Sequence, residues 1–122
     1  MIIYVEDNIN NQRLLQKMLS KYDLEVEVAD NPYDGYDLIM EHQPEMIFVD
    51  VHLKTRDTGL DLVRWLREAG VSVPIVVVTC FNMLADRERA LNAGCNDYVS
   101  KPYTQADMRR VLEKHIAAVN AA

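Results

Sequence analysis

Two stretches of this sequence, Ile47-Phe48-Val49 and Ile75-Val76-Val77-Val78, are apolar at every position. A strand with one wet face alternates apolar and polar side chains, so an unbroken run belongs in a strand covered on both faces, as at the centre of a parallel sheet. Taken with their flanks, Met46 to Val49 and Pro74 to Thr79, both runs are still too short for a comfortable helix. Similar short runs stand at Ile2 to Val5, Glu25 to Ala29 and Asp97 to Val99.

Between these runs the apolar residues recur at helical spacing. Leu14, Leu15, Met18, Leu19 and Tyr22 share one stripe, as do Leu62, Val63 and Leu66, and Val111, Leu112, His115 and Ile116. Asn31-Pro32 reads as a cap followed by proline at the first helical position, and Thr104 to Asp107 as a capping box with Asp in place of Glu. Gly70 and Gly94 stand where helices are expected to stop. Strands alternating with helices through 122 residues predict an α/β fold, a five-stranded parallel sheet, doubly wound with helices on both faces through right-handed crossovers.

Composition narrows what such a domain can do. With 19 acidic against 13 basic side chains the net charge is -6, so no direct nucleic-acid partner and no anionic membrane surface is expected. No apolar run approaches the ~18 residues of a membrane span, and Glu6 and Asp7 interrupt the apolar start, so the expected location is cytoplasmic. Cys80 and Cys95 form neither a disulfide framework nor a spaced metal set and are expected to be buried small hydrophobes. His42 and His115 carry no partner motif, and Trp65 is assigned to packing. Without a repeat, a linker or a low-complexity tract, residues 1–122 are expected to be a single domain with no output domain attached.

In a doubly wound sheet, ligands gather beyond the carboxyl ends of the strands. There the first run ends in Glu6-Asp7, the third in Asp50 and the fourth in Thr79, while Ser100-Lys101-Pro102 follows the fifth. A nucleotide site would place glycines or hydroxyls after the first strand; here Asn8-Ile9-Asn10-Asn11 follows two acids, and an acidic mouth repels phosphate unless a cation intervenes. Converging carboxylates repel by ~4 kcal/mol per pair at ~4 Å and an effective dielectric of ~20. A hard divalent ion with oxygen ligands offsets that, and Mg²⁺ fits because it combines one or two carboxylates with waters and a phosphate. Lys101 adds a point charge able to meet a phosphoryl oxygen, and Thr79 a hydroxyl donor. An acceptor, a metal and fixed donors are what phosphoryl transfer to a carboxylate requires. Asp50, directly behind a rigid apolar strand, is the best acceptor; Asp7 is read as the direct metal ligand and Glu6 as acting through water.

The ordered set Val5-Glu6-Asp7-Asn8, Phe48-Val49-Asp50-Val51, Val78-Thr79 and Tyr98-Val99-Ser100-Lys101-Pro102 resembles the receiver domain of two-component response regulators over practically the whole chain. The resemblance implies a flavodoxin-like (βα)5 fold and an acyl phosphate on Asp50, formed with a phosphoryl group from a histidine kinase or histidine phosphotransfer protein. It implies Mg²⁺ held by Asp7, Asp50 and the backbone carbonyl of His52. Thr79 and Tyr98 look like the switch pair of that family, the hydroxyl turning toward the phosphoryl group and the ring moving inward, and Lys101-Pro102 looks like its cis peptide. An unnamed downstream protein would read the state, and a homodimer through the fourth helix, fifth strand and fifth helix is common in the family.

The chain departs from the family pattern after the acceptor. The loop Val51 to Gly59 lacks the usual proline after Leu53 and is one residue longer, which predicts a slacker backbone. Lys54 and Arg56 are expected to attract the anionic donor or partner. His52 and Phe81 occupy positions that in this family tune hydrolysis, and the apolar Phe81 predicts a long-lived phosphoryl state. Two other functions are open to such a chain. An aspartyl-phosphate phosphohydrolase would want a second Asp where His52 stands, and a degenerate receiver acting as a phosphorylation-independent binding module would be expected to have lost a site residue; all are present.

Overall fold

The structure is a computed structural model that describes residues 1–80 and 84–116, the side chains of 84–86 excepted. Strands and helices alternate strictly: β1 (Ile2–Val5), α1 (Ile9–Ser20), β2 (Val26–Ala29), α2 (Pro32–His42), β3 (Met46–Asp50), α3 (Gly59–Glu68), β4 (Ile75–Thr79), α4 (Leu84–Ala93), β5 (Asp97–Ser100) and α5 (Gln105–His115). The strands form one parallel sheet in the order β2-β1-β3-β4-β5. The two unbroken apolar runs lie in adjacent central strands, with Ile47 opposite Ile75 and Val49 opposite Val77.

Alternation along each strand feeds two cores. Ile3, Val5, Ile47, Val49, Ile75 and Val77 face Ile39, Leu62, Val63 and Leu66 of α2 and α3. Ile2, Tyr4, Met46, Phe48, Val76 and Val78 face Leu15 and Leu19 of α1 and Met108, Val111 and Leu112 of α5. An all-apolar strand is therefore what two covered faces demand.

Local signals set the helix ends. The Asn31 side chain accepts from the Asp34 amide with Pro32 at the first helical position, and Thr104 and Asp107 form a reciprocal capping box. A second box, Thr58 with Asp61, starts α3. Gly70 and Gly94 carry φ of 88° and 115°, the left-handed backbone a helix stop needs.

Some sequence expectations change. Leu14 is 43% exposed, because the buried stripe of α1 runs through Leu15 and Leu19. Cys80 is exposed, since it steps off the end of β4, while Cys95 is buried. His115 does have a partner, its Nε2 lying 3.1 Å from Oδ2 of buried Asp97.

Candidate functional site

The chain reverses its winding between β1 and β3, and the crevice at their carboxyl ends is the topological switch point of the sheet. Glu6 and Asp7 follow β1 there, and Asp50 closes β3. Glu6, Asp7 and Asp50 each direct a carboxylate oxygen into one group, all within 4.8 Å of one another. Glu6 and Asp50 are buried at 0% and 3% exposure, so this charge is taken out of water by the fold itself.

Lys101 is the counter-charge in place. Its ammonium lies 2.8 Å from Oδ2 of Asp50 and 3.0 Å from Oε1 of Glu6. It is carried there by the turn after β5, where the Lys101 amide donates to the Thr79 carbonyl at 2.7 Å and the Lys101–Pro102 peptide is cis. The two carboxylates raise the Lys101 ammonium above its ordinary range against the opposing effect of burial.

The acids divide in character. Burial and the neighbouring Asp50 push Glu6 up to about 7, although Asn11 and Lys101 pull the other way. Burial would also raise Asp50, but Glu6, Lys101 and the His52 amide outweigh it and hold Asp50 below the usual carboxylate range. The His52 N–H donates to Oδ1 of Asp50 at 2.9 Å, and the amide of Asn11 donates to Oε1 of Glu6 at 2.5 Å. Asp50 is thus the more readily ionised, oriented carboxylate of the pair, and Glu6 the one whose charge burial and Asp50 oppose.

The group fits a magnesium ion. All its donors are oxygens, and Oε2 of Glu6 is buried with no hydrogen-bond donor facing it. Oδ2 of Asp7 accepts the Lys54 amide at 2.8 Å, which aims that carboxylate while leaving its second oxygen available. Behind the site, on the α1 and α5 side, lie the buried rings of Tyr4 and Tyr103; Tyr4 packs edge-on against Phe48. Burial first, then Tyr103, Glu6 and Asp50, keep the Tyr4 phenol protonated.

The loop after Asp50 is pinned, contrary to the slack expected from its length and missing proline. Leu53 is buried at 7% exposure, Lys54 is tied to Asp7, Thr55 Oγ1 donates to the Asp57 carbonyl at 2.7 Å, and the Gly59 amide donates to Val51 at 3.3 Å. Thr79 is buried at the end of β4, one residue beyond the partner of Asp50. Tyr98 is half-buried on β5, with the Arg87 guanidinium 4.8 Å above its ring. Phe81 lies outside the described residues.

Sequence reasoning missed Asn11, Gly59 and Arg87. Asn11 had a readable signal, an amide in the first helical turn behind a strand-end acid; Arg87 had none, since its contact with Tyr98 depends on how α4 lies beside β5.

A family model for the response regulator receiver domain matches residues 2–113, and the chain belongs to that family. It is 33% identical over 103 residues to the polar-differentiation response regulator DivK of Brucella anthropi, covering 83% of each chain. It is 33% identical over 107 residues to the probable transcriptional regulatory protein SilR of Salmonella typhimurium, covering 88% of this chain and 46% of that longer one. Among solved structures it resembles the receiver domain of the sensor histidine kinase PA1611 from Pseudomonas aeruginosa PAO1, which has a magnesium ion coordinated in its active-site cleft. The TM-score is 0.85 at 31% identity, covering 95% and 96% of the two chains. The fold is the flavodoxin-like receiver fold, and the role of such a domain is phosphorelay signalling. Among the described residues no helix is long and apolar enough to cross a membrane.

Proposed function

We propose that this receiver accepts a phosphoryl group on Asp50 in a Mg²⁺-dependent transfer and reports it through Thr79 and Tyr98. The observation that carries the reading is the Asp50 carboxylate, ionised, fixed by the His52 amide and bonded to Lys101, in one group with Glu6 and Asp7. In the transfer an Asp50 oxygen forms the new O–P bond as the N–P bond of a phosphohistidine breaks, and the bond pair leaves with the imidazole. Asp7, Asp50 and the His52 carbonyl would hold Mg²⁺, with Glu6 acting through water; when bound, the ion neutralises charge on the transferring oxygens. Lys101 moves from a carboxylate partner to a phosphoryl partner without leaving the pocket, and Thr79 supplies a hydroxyl from the neighbouring strand end.

A histidine kinase or a phosphotransfer protein is the donor. Ile9 and Leu14, 54% and 43% exposed on α1, offer apolar surface beside Asp7 for such a protein to cover. Output passes to a downstream protein that distinguishes the two states, which requires the phosphoryl group to favour one conformation by a few kcal/mol.

The test is incubation with acetyl phosphate and Mg²⁺, followed by intact-mass analysis. The expected result is a gain of one phosphoryl group that hydroxylamine removes, abolished by Asp50→Asn and by chelation. Phosphorylation surviving Asp50→Asn, or no labelling of the unmodified chain, overturns the reading.

A further inference from the structure

On the far side of the sheet from α1, the first half of α2 and the end of α3 with its C-cap border an open cleft of about 520 Å³ lined by Tyr33, Tyr36, Asp37, Trp65, Glu68 and Ala69. Both helices contribute the same i, i+3, i+4 pattern, so the six residues form two facing stripes. The Tyr33 ring stacks on Trp65 with centroids 6.0 Å apart and planes 28° from parallel, yet Tyr33 remains 46% exposed. Its hydroxyl donates to Oδ2 of Asp57 at 2.6 Å, so the ring is held at the mouth of the cleft by the loop that follows the acceptor strand.

Trp65 and Tyr36 pack inward against the core, whereas the outer ring, Tyr33, does not. The pair is left partly in water beside two carboxylates, with no basic residue in the lining, so the surface is aromatic with an acidic rim. Of the neighbouring cations, Arg64 pairs with Asp61 at 3.1 Å, while Arg56 comes close enough to Tyr33 to act on its hydroxyl, outside the lining itself. Tryptophan and tyrosine faces attract cations, and carboxylates at the rim add charge-assisted hydrogen bonds. A guanidinium suits both, because it is planar, stacks on an indole and meets a carboxylate with two parallel N–H groups. Trp, Tyr and Arg are also the residues that dominate protein interfaces.

We propose that the α2–α3 cleft is a docking site for an arginine-bearing segment of a partner protein, with the guanidinium stacked on the exposed side of the Tyr33–Trp65 pair and paired with Asp37 or Glu68. The inference is independent of phosphorylation at Asp50.

Trp65 is the single tryptophan of the chain, so its fluorescence reports on this cleft alone. The full chain is titrated with a capped hexapeptide, Ala-Arg-Ala-Ala-Arg-Ala, and with its glutamate counterpart, with amide shifts followed in parallel. The expected result is a saturable change in Trp65 emission with the arginine peptide only. The shifts should map to α2 and α3, and affinity should weaken at least fivefold in the double variant Asp37→Asn, Glu68→Gln. That variant alters exposed rim groups, and an unchanged melting temperature establishes that it folds. No saturable change with the arginine peptide, equal affinity in the double variant, or equally tight binding of tetramethylammonium overturns the proposal.

Discussion

Gly59 sits against the backbone of Asp50: a Cβ at residue 59 would stand 2.8 Å from the carbonyl carbon of Asp50 and 2.8 Å from Cγ1 of Val49. The start of α3 therefore approaches β3 as closely as a peptide without a side chain permits. Gly59→Ala has to displace either α3 or the peptide that aims the Asp50 carboxylate. The expected cost is about 1–3 kcal/mol in denaturant unfolding, as for overpacked cores, together with slower labelling by acetyl phosphate. Unchanged stability and labelling in that variant would show that the contact relaxes without moving Asp50.

Lys101 serves two carboxylates at once, and removing it separates its two effects. In Lys101→Met the donor that would meet the phosphoryl oxygen is gone, so labelling should slow on the order of 100-fold, the scale of losing one preorganised charge-stabilising donor. The same change removes a cation from beside Glu6 and Asp50, so Mg²⁺ should bind more tightly, measured by titration of the unphosphorylated protein. Slower labelling with weaker Mg²⁺ binding would instead point to collapse of the pocket.

The sheet was legible because its evidence is periodic: unbroken apolar runs in β3 and β4 call for two covered faces, and the structure supplies α2 and α3 on one side and α1 and α5 on the other. The strand-end acids were legible for the same reason, since a parallel sheet delivers its carboxyl ends to one edge. What escaped is set by orientation between elements that no spacing encodes. Leu14 and Leu15 are sequence neighbours of equal hydropathy, and only the roll of α1 on the sheet leaves the first in water. His115 met Asp97 because α5 returns beside β5, and one of the ties that hold the loop after Asp50 comes from Asp7, 47 residues from Lys54.

Cys80 and Cys95 should differ sharply toward an alkylating reagent. Burial pushes the Cys95 thiol up to about 11, which keeps it protonated and shielded at neutral pH, while Cys80 is exposed at the end of β4. Iodoacetamide with peptide mapping should modify Cys80 first and leave Cys95 intact until the protein unfolds.

Asp97 anchors α5 to β5. Burial opposes its charge, but His115, the Tyr98 amide, Arg110 and Lys114 hold its carboxyl below the usual range. A carboxyl depressed in the folded state contributes stability that is fully present above its unfolded value of ~3.9 and is lost as pH falls through the folded value. The stability difference between the native chain and Asp97→Asn should therefore be near its full value at about pH 5 and shrink below about pH 4. Chemical unfolding of both proteins across that range checks the sign, and a gap that widens on acidification would contradict it.

The Arg87 guanidinium lies 4.8 Å from the centroid of the Tyr98 ring, so a rotation of the ring away from its present position gives up that cation. If Tyr98 is the reporting aromatic, Arg87 biases it toward the resting arrangement by the strength of an exposed cation–π contact, roughly a two- to five-fold bias in population. Arg87→Ala should then raise the inward population by that factor, read from Tyr98 ring shifts. It should also speed labelling by acetyl phosphate by no more than the same factor, because the donor gains only what the resting state loses. Arg87→Lys, which keeps the charge but not the planar stack, should fall between the two. A ring that shifts in Arg87→Ala with no change in labelling rate would uncouple Tyr98 from the acceptor site and leave Thr79 as the sole reporter.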